Sequence, residues 1–136
     1  MNGAQNHTEM ILCDTNIFIE IYRRNNAVRK VLLDKIGLEN VVISDVTRAE
    51  LFYGAINKTE LQMIRKDLSN FRVLHIDPFI SKMAVEFVEK YCLSQKTDLE
   101  DALIAATAIL YGIELYTLNT KDFVFIPEIK LFQPDK

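Results

Sequence analysis

The sequence has few of the residues that mark disordered, disulfide-rich or membrane-spanning chains. Only four glycines and three prolines occur in 136 residues that are 49% hydrophobic, which excludes a disordered tail and favours a globular fold. The two cysteines, Cys13 and Cys92, lack the spacing of a metal-binding or redox pair. Isolated thiols without a secretory signal are typical of a reducing cytosol. The longest apolar stretch, residues 102–111, is too short to cross a bilayer. We therefore expect a cytoplasmic protein without a membrane span.

An excess of positive charge is also absent. Sixteen basic and nineteen acidic residues give a formal net charge of −3, which argues against broad electrostatic coating of nucleic acid. A nuclease is not excluded, because carboxylates gathered to hold a metal ion lower the overall charge. The length suits one domain with a real core. Residues 1–9 are polar, so we expect a loose N-terminal leader followed by a single domain over residues 10–136.

Short apolar or β-branched runs alternate with helical patterns along the chain. Strands are predicted at residues 10–13, 41–43, 73–76, 113–117 and 129–132. Helical spacing of apolar residues fills the intervals, and Gly37 and Gly112 are predicted to end two of these helices. Strands that alternate with helices in this way predict a parallel α/β sandwich.

Four acidic residues stand where strand ends and helix starts would bring them together. Asp14 follows the first strand, and Asp122 follows the fourth. Glu50 lies about two turns into the helix after the second strand, and Asp101 opens the alanine-rich helix before the fourth. Ligands of open α/β sheets bind beyond the carboxyl ends of the strands, at the point where strand order reverses. If the order reverses after the first strand, the first and fourth strands are neighbours and the carboxylates share one pocket.

Such a cluster requires a counter-ion. Two unit charges about 4 Å apart repel by roughly 4 kcal/mol at an effective dielectric constant near 20. All the donors are oxygen atoms without an accompanying histidine or cysteine pair, which favours Mg²⁺ or Mn²⁺ over zinc. A metal ion at this position can ionise a water for attack on a phosphodiester and neutralise charge on the phosphate oxygens. The number of ions stays open.

Several of these acids also have a purely structural explanation. Asp14 would cap the first helix, and Asp101 would complement the helix dipole, as would Asp98 and Glu100. Glu50, on an otherwise apolar helix face, is harder to explain as solvated surface. We keep the structural explanation for Asp98 and Glu100 and the functional explanation for the four clustered acids.

Four segments resemble the signatures of PIN-domain ribonucleases, and in particular of the VapC-type toxins of bacterial toxin–antitoxin pairs. They are Asp14-Thr15-Asn16, residues 47–54 (TRAELFYG), residues 101–108 (DALIAATA) and residues 117–123 (TLNTKDF), in that order. The resemblance extends from about Met10 to Phe132. It implies a PIN-like three-layer sandwich, in which a parallel five-stranded sheet is flanked by helices.

The resemblance also implies a function: Mg²⁺- or Mn²⁺-dependent endonucleolytic cleavage of RNA by a metal-activated water. It implies a homodimer that is inhibited by a small cognate antitoxin. The catalytic and metal-binding residues by resemblance are Asp14, Glu50, Asp101 and Asp122, with Asp14 and Asp101 the surest ligands. Five polar residues match positions that brace the acids or contact phosphate, namely Thr15, Asn16, Ser44, Thr117 and Asn119. Leu118 departs from the pattern, since many relatives carry a polar or basic residue there.

Aromatic residues on the early helices exceed what a thin core layer needs. They are Phe18, Tyr22, Phe52 and Tyr53. We expect most of them in the core, and our hypothesis is that some line a groove for an antitoxin helix.

Three other functions are compatible with acids at the edge of a parallel sheet. A receiver-like Mg²⁺-binding signalling domain needs an acceptor aspartate after the third strand, but Asp77 precedes Pro78 and Lys121 is badly spaced. A haloacid-type phosphatase needs a second aspartate where Asn16 stands. A catalytically silent PIN-fold binding module is the other alternative, and the intact acids argue against it.

Overall fold

The computed structural model describes residues 9–135, so the predicted leader, apart from Glu9, lies outside the described residues. The strands are β1 (Ile11–Cys13), β2 (Val41–Ser44), β3 (Arg72–Leu74) and β4 (Glu114–Tyr116). The α-helices are α1 (Thr15–Tyr22), α2 (Asn26–Lys30), α3 (Asp45–Tyr53), α4 (Lys58–Leu68), α5 (Pro78–Gln95) and α6 (Leu99–Tyr111). A π-helical turn (Val31–Ile36) continues α2, and short 3-10 turns lie at Leu38–Asn40 and Thr120–Asp122.

The sheet is parallel, with the strand order β3-β2-β1-β4. Leu12 of β1 pairs with Val42 on one side and with Leu115 on the other. β1 therefore lies between β2 and β4, and the strand order switches between β1 and β4, which meets the condition stated above for a shared pocket of carboxylates. The carboxyl ends of β1 and β4 consequently lie side by side, which brings the residues after each strand to the same edge.

The predicted fifth strand is reduced to one bridge, so the prediction of five full strands is wrong. Leu131 pairs with Leu115 in an isolated parallel bridge, supported by two backbone hydrogen bonds of 2.8 Å. Pro127 and Pro134 flank this segment, and neither has an amide hydrogen to extend the pairing. The sheet of residues 9–135 therefore has four strands.

Both faces of the sheet are covered. Alternate strand residues enter two separate cores, with Ile11 and Cys13 in one and Leu12 in the other. The first core includes α1, α2 and α4, whereas the second packs against the alanine-rich α6. A parallel sheet requires such two-sided burial, and the arrangement is the predicted three-layer sandwich. None of the helices between residues 9 and 135 is long and apolar enough to cross a membrane.

Candidate active site

Asp14 lies directly after β1 and caps α1. Its Oδ1 accepts a hydrogen bond from the N–H of Thr15 at 2.8 Å. The residue is only 6% exposed. Burial raises the pKa of Asp14 and the charge of Asp122 raises it further, while hydrogen bonds from Thr117, Thr15 and Asn16 oppose the rise. The helix-capping role and the position at the sheet edge therefore belong to the same side chain.

Thr117 and Asn16 hold the second oxygen of Asp14. The Thr117 hydroxyl donates to Asp14 Oδ2 at 2.8 Å, and it accepts from Asn16 Nδ2 at 3.2 Å and from the N–H of Asn119 at 3.0 Å. Asn16 Nδ2 also lies 3.3 Å from Asp14 Oδ2, and Asn16 Oδ1 accepts from the N–H of Leu118 at 3.1 Å. This network ties the loop after β4 to α1 and fixes the orientation of the Asp14 carboxylate. Leu118 contributes to it through its backbone.

Glu50, on α3, is linked to α1 by a hydroxyl network. Thr15 Oγ1 donates to Glu50 Oε1 at 2.5 Å, and the hydroxyl of Thr47 lies 3.0 Å from that of Thr15. Ser44 caps α3 by accepting from the N–H of Thr47 at 3.1 Å. Ser44 therefore connects to Glu50 through Thr47 and Thr15. Sequence reasoning did not single out Thr47, although it opens the same motif and is completely buried.

Asp101 lies in the first turn of α6. Asp98 caps this helix, since its Oδ1 accepts a hydrogen bond from the backbone N–H of Asp101 at 2.9 Å. Burial raises the pKa of Asp101, and the charges of Asp98, Asp14, Asp122 and Glu50 raise it further, to about 7. Within residues 9–135, no ion pair neutralises any of these carboxylates. The structure therefore brings the four predicted acids into one electrostatic neighbourhood.

Asp122 enters this neighbourhood from the 3-10 turn that follows β4. Its N–H donates to the carbonyl of Asn119 at 3.0 Å, which forms the turn. The charge of Asp122 raises the pKa of both Asp14 and Asp101. The turn therefore brings a carboxylate back toward the end of β1.

The donor set suits a hard divalent cation. It consists of carboxylate oxygens with no balancing positive side chain, which favours Mg²⁺ or Mn²⁺. The side chains do not form a complete ligand shell as they stand: among residues 9–135, no three histidine, cysteine or acidic side chains are arranged to hold an ion. A bound cation would have to draw these carboxylates together, and it would offset both the burial and the repulsion that raise the pKa of Asp101. In chemistry and charge, the residues fit such an ion.

Glu100 is an acid that sequence reasoning assigned to the helix dipole. Its pKa is raised, first by the charge of the Glu50 carboxylate and then by a hydrogen bond with it. Glu100 thus lies against a predicted site residue. The available signal was its position directly before Asp101, but acids in a first helical turn are too common for this to be decisive.

The early aromatic residues divide between core and surface. Phe18 is buried and Phe52 packs against the core, as predicted. Tyr22 is 43% exposed and lines a cavity of about 300 Å³ with Phe18. Tyr53 is 94% exposed and lines a different cavity, beside Glu50. Two of the four aromatic residues therefore lie in the core, where most of them were expected, and the other two line cavities.

The comparisons with known proteins agree with this architecture. Residues 11–126 match the family model of the PIN domain. The chain is 32% identical over 122 residues to ribonuclease VapC10 of Mycobacterium tuberculosis, which covers 89% of this chain and 91% of the relative. It is 28% identical over 123 residues to ribonuclease VapC19 of the same organism, with coverages of 89% and 98%.

Solved structures show the same likeness. A toxin–antitoxin complex from Klebsiella pneumoniae has a TM-score of 0.75 at 34% identity, covering 91% of this chain and 97% of that chain. VapBC2 from Rickettsia felis, bound to a DNA fragment from its promoter, has a TM-score of 0.74 at 26% identity, with coverages of 90% and 97%.

A parallel sheet with acids collected at the edge beside its first strand defines a PIN-domain protein, and this chain belongs to that family. Within the family it is a VapC-type ribonuclease, the toxin of a toxin–antitoxin pair. The predicted family, the α/β PIN fold class and the function as a ribonuclease toxin of a toxin–antitoxin pair are thereby confirmed. The match favours the nuclease over the receiver-like and phosphatase alternatives.

Proposed function

We propose that the protein cleaves RNA with Mg²⁺ or Mn²⁺ held by Asp14, Glu50, Asp101 and Asp122, with Asp14 and Asp101 as the main ligands. The observation that carries this proposal is the gathering of acids at the edge where β1 and β4 lie side by side, where burial and the charges of neighbouring acids raise the pKa of Asp101 to about 7. Clustered carboxylates destabilise a fold unless a cation joins them. Selection for a divalent ion explains why so many acids gather at one sheet edge.

The chain's own residues orient these ligands. Thr117 and Asn16 fix one oxygen of Asp14, and Thr15 fixes Glu50. Mutation of a residue that hydrogen-bonds to a metal ligand typically lowers metal affinity or activity 10- to 100-fold. When bound, a divalent cation supplies an activated water for attack on the phosphodiester and neutralises charge that develops on the phosphate oxygens.

The remaining two predicted polar residues have indirect parts in this proposal. Ser44 supports Glu50 by capping α3 beneath Thr47. Asn119 supports Thr117 through its backbone N–H, at 3.0 Å. Its exposed side chain is free to meet the substrate phosphate, as the family resemblance implies.

We also propose that a helix of the cognate antitoxin binds in the groove of about 300 Å³ lined by α1, the π-helical turn and the end of α4. The groove is lined by Phe18, Ile21, Tyr22, Arg29, Leu32, Leu33, Leu38, Asp67, Asn70 and Phe71. An apolar floor with charged rims suits an amphipathic helix. Tyr22→Asp should prevent co-purification with the antitoxin, whereas Tyr53→Asp, outside this groove, should not. Retention of the antitoxin by Tyr22→Asp would contradict the assignment.

The domain organisation and assembly of the chain are a further part of this proposal. We propose that residues 10–136 form one domain that assembles as a homodimer in the cytoplasm. Large exposed apolar side chains on α5, including Phe79, Val85 and Leu93, are of the kind that protein interfaces cover. Sedimentation that gives the monomer mass at micromolar concentration would contradict the dimer.

A cleavage assay tests the nuclease proposal. A short single-stranded RNA is incubated with Mn²⁺, with Mn²⁺ plus chelator, and with the Asp101→Asn protein. Of these three samples, we expect cleavage only in the one that contains the wild type and free metal. Asp34→Asn, at an exposed position of the π-helical turn, serves as the matched control and should cleave normally. Cleavage in chelator would refute the metal requirement, and a wild type without activity would favour the silent binding module.

A further inference from the structure

A cavity of about 800 Å³ opens beside the acids, between α3, the segment after β3 and the start of α6. It is lined by Asp45, Val46, Ala49, Glu50, Tyr53, Ile76 and Glu100. Its size falls in the range of small-molecule sites. Because Glu50 is among its lining residues, the cavity borders the proposed catalytic site.

Tyr53 is the unusual member of this lining. It stands three residues after Glu50 on α3, so the two side chains are neighbours on the helix surface. The residue is 94% exposed, although an aromatic ring of this size normally contributes to a core or an interface. Packing within the monomer therefore does not account for it.

The residues that line the cavity suit a nucleobase better than a phosphate group. Glu50 and Glu100 give the cavity negative charge, which disfavours a phosphate group, whereas the charge of Asp45 is offset by Arg48 at 3.4 Å and by a contact with His75 at 3.0 Å. Val46, Ala49 and Ile76 supply apolar surface, and the Tyr53 ring supplies an aromatic face. A flat apolar face and carboxylate acceptors suit a nucleobase, whose ring stacks while its amino groups donate hydrogen bonds.

We propose that this cavity is a nucleobase subsite, in which one base of the RNA near the scissile phosphate stacks on Tyr53. The inference rests on the proposed nuclease function. The occupant follows from the position of the cavity beside Glu50, whose charge reaches Asp101, because an RNA bound for cleavage at these acids brings its own bases to their surroundings. Stacking on an aromatic ring accepts every base, so the subsite selects single-stranded RNA more than a sequence.

The test compares steady-state cleavage by wild type, Tyr53→Ala and Tyr53→Phe with Mn²⁺. The substrates are one single-stranded RNA and a set of copies in which a single abasic nucleotide moves through the positions around the cut. Tyr53→Ala should raise KM about 5- to 140-fold, which is about 1–3 kcal/mol at 1.4 kcal/mol per tenfold, with kcat little changed. Tyr53→Phe keeps the ring and should retain the wild-type KM.

The abasic series identifies the contact. Loss of the base at one position should raise KM for the wild type but not for Tyr53→Ala, because both changes remove the same interaction. Tyr111→Ala is the matched control. Tyr111 ends α6, about 15 Å along the helix from Asp101.

Three results would overturn the subsite. Equal KM values for wild type and Tyr53→Ala, on an RNA that the wild type cleaves, would refute it and leave the nuclease function standing. A wild type that cleaves no RNA with Mn²⁺ would refute both. The third result is a Tyr53→Ala protein that sediments as a monomer and regains the wild-type KM at high protein concentration. It would show that the Tyr53 ring contacts a second copy of the chain and not a base.

Discussion

Replacing Asp101 by Asn should stabilise the metal-free protein while it abolishes cleavage. The carboxyl of Asp101 is half-buried and faces the charges of Asp98, Asp14, Asp122 and Glu50, so its pKa is raised to about 7. At neutral pH, a large fraction of the protein carries an unfavourable negative charge at this position. Asparagine has a similar shape without that charge, but it is a poorer ligand for a divalent cation.

The magnitude follows from the pKa. A rise from 3.8 to about 7 corresponds to an upper limit of about 4 kcal/mol at 1.36 kcal/mol per pKa unit. Because the group is half exposed, solvent screening reduces this value, and we expect about 1–2 kcal/mol. For a domain of this size, that is a rise in Tm of roughly 4–8 °C.

The pH dependence has a definite sign. The unfolded chain releases the Asp101 proton near pH 4, whereas the folded state keeps it up to about pH 7. The stability of the metal-free wild type should therefore fall as the pH rises from about 4 to 7, because the folded state binds more protons in that window. The difference between Asp101→Asn and wild type should be small at pH 4 and reach its full size at and above pH 7.

Thermal unfolding in chelator, from pH 4 to 8, measures this difference. Asp34→Asn is the control and should change stability by no more than about 0.5 kcal/mol. Adding Mn²⁺ at a hundred times its dissociation constant should stabilise the wild type by about 2.7 kcal/mol and the variant by much less. A variant that is less stable than wild type at pH 7 in chelator, or that gains as much from Mn²⁺, would refute the reasoning.

Three further predictions address the network around the acids. Thr15→Val removes the donor to Glu50 and should lower the rate of single-turnover cleavage about 10- to 100-fold. Thr15→Ser keeps the donor and should retain most of the wild-type rate. An unchanged rate for Thr15→Val would show that this hydrogen bond does not contribute to cleavage. Thr117→Val leaves the buried Asp14 without its 2.8 Å donor and should reduce the free energy of unfolding by about 1–3 kcal/mol in urea denaturation, an effect that Thr117→Ser should largely avoid. Overexpression of the wild type should arrest bacterial growth, and Asp14→Ala should restore it; continued arrest would separate toxicity from the acidic site.

The parts of the fold that the sequence predicted share a local physical cause. The strand at residues 10–13 is a short apolar run, and β1 is buried on both faces. Gly112 ends α6 in the left-handed conformation, with φ of 67°, as a helix-terminating glycine should. The sequence left the neighbouring positions of β1 and β4 conditional on a reversal of strand order after β1, and the structure meets that condition.

The parts that the sequence did not predict depend on contacts between distant residues. The apolar residues at 129–132 have strand-like composition, but only Leu131 pairs, with Leu115. Tyr53 follows apolar residues at helical spacing, which is typical of a core residue, yet it projects from the end of α3. Thr47 lies within a recognised motif, but it is linked to the site through a hydrogen bond with Thr15, 32 positions away in the chain.

Diffraction from crystals of the protein grown with Mn²⁺, with anomalous data that locate the metal, tests the central claim most directly. The account predicts manganese within about 2–2.5 Å of carboxylate oxygens from both Asp14 and Asp101. Manganese bound elsewhere, or none at these residues at a concentration that supports RNA cleavage, would contradict it.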